Sequence, residues 1–527
     1  MWKEGKIDEL LFEGRSLQER LQKLPVISSH NESLSRTFSK LVFQGKIKQA
    51  IQLLSDKSRG RVLHIHDHTS PSDPSSPTVL SVLKSKHPKS QPCSLTAIFD
   101  NENDPPSFHP VIFEQIDANC IRTASINTFG AAGPSGVDAH SWKRFCTAFQ
   151  SASDDLCHSL ALVARRLCSS FVDPDSLHPL LACRLITLDK NPGVRPIGIC
   201  EVVRRILAKA ALSVIRGDIM DAAGPLQLCA GQPAGAEAAI HAAHSWFDEE
   251  TTEGLLLVDA SNAFNSLNRQ AALLNVQHLC PTFAPLLTNC YREPSPLFVD
   301  GSTLWSEEGT TQGDPLAMPF YALATIPLIK IQAKISDTKQ IWYADDSTAA
   351  GTLEGLQNWW YSTSTNGPSF GYFPNDTKTW LVTKPSLEAK ARHLFDKTNV
   401  NITTTGRPHL GAPVGSDEYV QQFLHEKTGQ WCDMLSTLSD FAITQPQAAY
   451  ATLTHGLSNC WSFLCRTHPR SHSFLQPLED ILNQKLIPTL TGRPSPGNHE
   501  RNLLSLPARL GGLGISSPPL LLSLIHI

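Results

Sequence analysis

The chain has 527 residues, 41% hydrophobic and 18% charged, which excludes a disordered protein and suggests roughly two to four globular domains. Forty-nine acidic residues against 45 basic ones give a formal net charge of −4, so there is no global positive field for a polyanion and any such partner must be held by local basic stretches. Thirteen scattered cysteines without a CxxC indicate neither a zinc ribbon nor a disulfide framework, and read as reduced thiols.

No apolar run reaches the ~18 residues needed to span a bilayer, and the opening "MWKEGKIDELLFEG" is too charged for a signal peptide. An intracellular protein of cytoplasm or nucleus, without a membrane partner, is expected. From Ser33 to Ser55 apolar residues recur at helical spacing, predicting one or two amphipathic helices. "HIHDH", His64 to His68, lacks a carboxylate or cysteine partner at ligand spacing and reads as a surface loop. "TSPSDPSSPT", Thr69 to Thr78, reads as a linker.

"TFGAAGPSGVDAHSW", Thr128 to Trp142, is a Gly/Pro-punctuated loop in which Ser135 or Asp138 could cap a helix from about Ala139, the helical pattern running to Leu167. "CRLITLDKNPGVRPIGIC" alternates, breaks at Asn191-Pro192-Gly193 and resumes, predicting a β-hairpin with Lys190 and Arg195 near its tip. In "EVVRRILAKAALSVIRGD", a helix, Arg204, Arg205 and Lys209 are candidates for contact with a nucleic-acid backbone, or else a solvated face.

"EGLLLVDASNAFNSLNR" is an apolar run ending abruptly at Asp259, the pattern of a buried strand that delivers one carboxylate. "GTTQGDPLAMPFYALATIPLI" is a glycine turn leading into an apolar helix, with Pro315 in its first turn. "IWYADDSTAAG" sets Asp345 beside Asp346, a repulsive pair that a bound cation would compensate. Beyond Gly371 follow Lys378 and Lys384, then "GRPHLGAPVG", then mostly helical sequence from Tyr419 to Leu490. Cys460, Cys465, His468 and His472 superficially suggest a zinc knuckle, but their spacing fits none, and the stretch reads as helix.

Each motif is weak alone, yet the order of strand-end aspartate, Gln-Gly-Asp-Pro turn and Tyr-Ala-Asp-Asp resembles reverse transcriptases. "VDASNAF", "TTQGDP" and "YADD" look like their three palm motifs, and "AAGPSGVD" is similar to a segment upstream in enzymes of non-LTR retroelements. The chain is most like the branch of non-LTR retrotransposons and group II introns, over approximately Thr128 to Gly415.

The resemblance implies an α/β (α+β) right-hand polymerase with fingers, an antiparallel palm sheet with helices, and a helical thumb. The expected division is 1–68 helical N-terminal region, 69–119 linker and loop-rich segment, 120–250 fingers with the N-terminal extension of the polymerase domain, 251–415 palm and 416–521 helical thumb or C-terminal region. The last six residues, 522–527, "LSLIHI", match a translated transposase end used in library preparation and are expected to be an artefactual tail, the natural chain continuing instead.

The implied activity is RNA-directed DNA polymerisation: two Mg²⁺ ions, or Mn²⁺ in their place, about 3.5–4 Å apart assist transfer of dNTPs onto a DNA or RNA primer 3′-hydroxyl along an RNA template. Asp259, Asp345 and Asp346 are the implied catalytic and metal-binding residues, with Ala260 also at the metal site. Mg²⁺ prefers a few carboxylates plus substrate oxygens, which suits this set. Phe264 is the implied gate against a 2′-hydroxyl. Lys190 and Arg195 are the implied triphosphate clamps, Gln312 and Gly313 line the nucleotide pocket, and Lys378 faces the departing pyrophosphate, with Lys384 competing for that role. Leu410 and Gly411 are the implied primer grip. A silent, co-opted nucleic-acid binder is the alternative, and an RNA-dependent RNA polymerase, which would want a polar residue at position 264, is a further one. No endonuclease, RNase H, integrase or recombinase segment is legible.

Overall fold

The computed structural model describes residues 30–54, 62–70, 73, 75–98, 104–190, 193–335 and 337–520, with Glu9, Phe12, Glu13 and Ser16. The expected Asn191-Pro192 turn and the tail 522–527 lie outside them. With 57% helix and 13% strand in several sheets, the chain is mixed α/β. It divides into two compact units, residues 58–423 and residues 1–57 with 424–527.

In the larger unit, the 183–200 stretch forms the predicted hairpin, β1 (Cys183–Asp189) against β2 (Val194–Cys200). The five-residue run ending before Asp259 is β3 (Gly254–Val258), buried at every position as an all-apolar strand must be. β4 (Ser295–Val299) and β5 (Ser302–Ser306) complete a first sheet of order β2-β1-β4-β5, in which β1 and β4 run parallel.

β6 (Thr338–Tyr343) and β7 (Asp346–Gly351) form a tight hairpin, while β8 (Trp380–Thr383) and β9 (Asn401–Thr403) lie beyond β3. The second sheet is therefore β6-β7-β3-β8-β9, with β3 at its centre between two antiparallel neighbours. β10 (Gly406–His409) and β11 (Ala412–Gly415) make a separate hairpin. A single large core backs the second sheet, drawing on the helices Val202–Ala223, Ala317–Gln332 and Leu353–Asn366.

Several local expectations are corrected. The helical pattern from Ala139 breaks at Gln150, whose φ is +48°, giving helices Ala139–Thr147 and Ser151–Ser169. Asp138 is the N-cap, accepting from Ser141 N–H at 2.8 Å, whereas Ser135 turns to Glu201. Pro315 precedes its helix, which starts at Ala317. The stretch read as linker carries a helix, Val79–Lys86, whose Val79 and Leu83 pack with Ile65, Cys183 and Leu185. Ile65 is thus the buried member of "HIHDH", and its histidines are exposed as a surface loop requires.

In the smaller unit, helix His30–Phe43 packs its Phe38 and Val42 among residues of Asp417–Ala442 and the helices that follow. Trp461 and Cys465 are buried in that same core on helix Ser458–Thr467, so the cysteine-histidine stretch serves packing.

Candidate active site

The register of the second sheet builds the site. Val258 pairs with Ser347, so Asp259, one residue further along, comes opposite Asp346. Tyr343 pairs with Asp346, which leaves Ala344 and Asp345 as a two-residue bend. The bend places Asp345 at the tip of the hairpin, next to the end of β3. Asp259 is fixed by its backbone, its carbonyl accepting from Asn375 N–H at 2.8 Å while Ser261 N–H donates to Phe373 at 2.8 Å. Between them Ala260 forms a bridge to Pro374.

The three carboxylates interact electrostatically. Burial, and then the charge of Asp259, raises the Asp345 carboxyl above the usual range. Asp346 is pushed up to about 7 by partial burial, then by Asp345 and Asp259. Its side chain is still reached by water, so solvent screens part of this push. A cation would relieve the crowding, and oxygen donors of this kind are those a hard divalent ion prefers. Among the described residues, no three His, Cys, Asp or Glu side chains form a closed ligand set by themselves. Such a centre completes its shell with substrate oxygens, so the residues present fit the group.

A cleft of about 410 Å³ opens beside the carboxylates, and its walls include Asp259, Asp345, Ala260, Phe264, Gln312, Gly313, Lys190 and Arg195. Most of the residues singled out from the sequence are therefore brought together. Phe264 stacks on the fully buried Tyr321, ring centroids 4.5 Å apart and planes 24° from parallel. The Gln312-Gly313 turn is joined to β2 by a hydrogen bond from Gly198 N–H to Gln312 O of 2.8 Å.

A second cavity of about 190 Å³ touches Asp259 and Asp346 and is walled by Lys378, Trp380, Arg407 and Leu410. Lys378 Nζ lies 3.6 Å from Asp259 Oδ2. Its competitor Lys384 is held elsewhere, donating to the Glu249 carbonyl at 3.1 Å. Leu410 and Gly411 are the bend of the β10–β11 hairpin, at φ +48° and +91°, the two left-handed residues of a primed turn. Leu410 lines the second cavity; Gly411 is exposed at the bend.

Arg204 and Arg205 of helix Val202–Ala223 are buried and not available to a polyanion. Arg204 is buried in an ion pair with Asp314, 2.5 Å, and Tyr291 Oη donates to the same carboxylate oxygen at 2.6 Å. Arg205 donates to the carbonyls of Phe129 and Ala131, and Lys209 to that of Asn127. These donors tie the helix to the 127–131 loop and to the Gly-Asp-Pro turn. Reading Arg204 and Arg205 as candidates for backbone contact is corrected, since their charges satisfy internal acceptors, whereas Lys209 stays partly exposed.

Two residues near the carboxylates escaped the sequence reading. Lys86, at the end of helix Val79–Lys86, lines the larger cleft, and Asn262 Nδ2 holds its carbonyl at 2.8 Å. Burial, then Lys190, Lys378 and Arg195, lower its ammonium below the ordinary lysine value. Gln227 is fully buried against Ala344. Neither sits in a motif, so only a structure could reveal them. Compared with known proteins, the chain matches no family model, and no curated protein is significantly similar to it.

Proposed function

We propose that this chain is an RNA-directed DNA polymerase of right-hand architecture, adding dNTPs to a primer 3′-hydroxyl on an RNA template. The observation that carries this reading is the convergence of Asp259, from a central strand, with Asp345, from a hairpin bend, and Asp346, which opens β7; the cleft lined by Asp259 and Asp345 also holds Phe264, Gln312 and Arg195. Bound Mg²⁺ would activate the attacking 3′-oxygen and neutralise the departing pyrophosphate. Asp259, Asp345 and Asp346 are the residues that would hold it.

The chain's own residues divide the remaining work. Lys190 and Arg195 offer positive charge to the triphosphate from the β1–β2 hairpin. Phe264, braced by Tyr321, presents an aromatic wall where a 2′-hydroxyl would need a polar partner, which favours dNTP over NTP. Lys378, beside Asp259, is placed to shield negative charge that develops on the leaving group. The test is primer extension on an RNA template with Mg²⁺, comparing dNTPs with NTPs. Incorporation of dNTPs that Asp345→Asn abolishes supports the reading. Retained RNA binding without incorporation favours a silent nucleic-acid binder.

A further inference from the structure

We propose that Gln227 is a positioning residue that fixes the Ala344-Asp345 bend, and so sets where the Asp345 carboxylate stands. The inference rests on the metal-site part of the polymerase reading.

A two-residue bend with a left-handed first residue is normally built on glycine. Here that residue is Ala344, at φ +56°, while Asp345 keeps negative φ. An L-residue persists in this region only where its surroundings over-determine it. Gln227, fully buried, supplies that constraint. Its Oε1 accepts from Ala344 N–H at 3.0 Å, and its Nε2 donates to Ala344 O at 3.2 Å and to Thr325 Oγ1 at 3.0 Å. One side chain thus satisfies both backbone groups of the left-handed residue.

The glutamine is itself pinned. Trp342 N–H donates to Leu226 O at 2.7 Å and Leu228 N–H donates to Trp342 O at 2.9 Å, so its own backbone lies along β6, the edge strand. On the far side of the bend, Tyr372 Oη donates to Asp345 O at 3.0 Å. The bend is held from both flanks; the Cys229 thiol also lies against the Ala344 backbone, but Gln227 engages both its N–H and its carbonyl. A glutamine that merely filled the core would leave the metal-binding carboxylates indifferent to its replacement by a side chain of similar volume.

The experiment uses the full chain with Gln227→Ala, Gln227→Glu and the double variant Gln227→Ala with Ala344→Gly. Mn²⁺ binding is read from the resonance of the free ion, which needs no turnover, alongside kcat and the dNTP KM. Gln227→Ala is expected to weaken Mn²⁺ about tenfold or more and to lower kcat comparably, with KM nearly unchanged, as for loss of a group that orients metal ligands. Glycine adopts positive φ without steric cost, so Ala344→Gly restores most of the Mn²⁺ affinity.

Wild-type Mn²⁺ affinity in Gln227→Ala, or failure of Ala344→Gly to restore it, overturns the proposal. If Gln227→Ala does not fold, Gln227→Glu decides by the same criteria, since it keeps the acceptor and loses the donor. A wild-type chain that binds Mn²⁺ but incorporates no nucleotide defeats the polymerase reading alone, and the Mn²⁺ data still judge Gln227. A wild-type chain that binds no Mn²⁺ overturns the role of Gln227 as well.

Discussion

Gly198 and Gly313 meet backbone to backbone: a Cβ on Gly313 would stand 2.4 Å from the Gly198 carbonyl oxygen, and Gly313 itself has φ +110°. β2, which carries Arg195, is thereby registered against the turn that carries Gln312. Gly313→Ala must break this contact. It should cost at least about 1–2 kcal/mol from left-handed strain alone and lower incorporation more than stability, as denaturant unfolding and single-turnover assays will show. Full activity in Gly313→Ala would remove the turn from the nucleotide site.

The crowded carboxylates make a prediction with a definite sign. Asp346 is raised in the folded chain from near 4 to about 7, so folding disfavours its ionised form. Its contribution to stability is therefore most favourable below pH 4 and is lost progressively as pH rises towards 7. Asp346→Asn should raise the metal-free melting temperature at pH 7.5 and change it little at about pH 4. Mg²⁺ should raise the melting temperature of the natural chain and do so much less for Asp345→Asn. Identical melting curves for both chains across this range would show that the carboxylates do not strain the fold.

Phe264 owes its position to the stack on Tyr321. Phe264→Ala should lower the preference for dNTP over NTP by about tenfold or more, because the aromatic wall no longer meets the 2′-position. Competition between the two nucleotide types in one primer-extension reaction measures this ratio. An unchanged ratio would assign the side chain to packing.

Arg204 and Asp314 form a buried ion pair, and losing one partner strands the other in the core. Asp314→Ala should therefore cost about 3–5 kcal/mol, whereas replacing both by apolar residues of similar volume should cost much less. The salt dependence of nucleic-acid binding should not change its slope in Arg204→Met, which would distinguish an internal arginine from one that touches phosphate.

Lys86 shares the cleft with Lys190 and Arg195, and burial, then the charges of Lys190, Lys378 and Arg195, depress its proton affinity. Lys86→Ala should raise the dNTP KM about tenfold or more, by roughly the worth of one charge-assisted hydrogen bond, while Lys86→Arg retains most of the affinity. A kcat loss with KM unchanged would contradict contact with the nucleotide.

The carboxylates were legible because their chemistry constrains sequence locally. Asp259 ends an apolar strand, and Asp345 and Asp346 sit where an apolar run gives way to a run of small residues, so the local pattern itself marks them. The β1–β2 hairpin announced itself in the same way. What the sequence concealed is held by partners far away along the chain. Arg204 reads as a surface cation until Asp314, 110 residues later, is folded against it. Gln227 looks ordinary until Ala344 appears 117 residues on, and nothing local distinguishes it. Ser135 and Asp138 were equally good caps by pattern; Glu201 decides between them by claiming the serine.

The smaller unit also sets a problem of timing. Phe38 and Phe441 pack with ring centroids 5.0 Å apart, yet roughly 400 residues separate them along the chain. At a synthesis rate of about 5–20 residues per second, the apolar face of helix His30–Phe43 leaves the ribosome about 20–80 s before its partner exists. Through that interval Phe38 and Val42 are a sticky surface awaiting a mate, a natural client site for a holding chaperone.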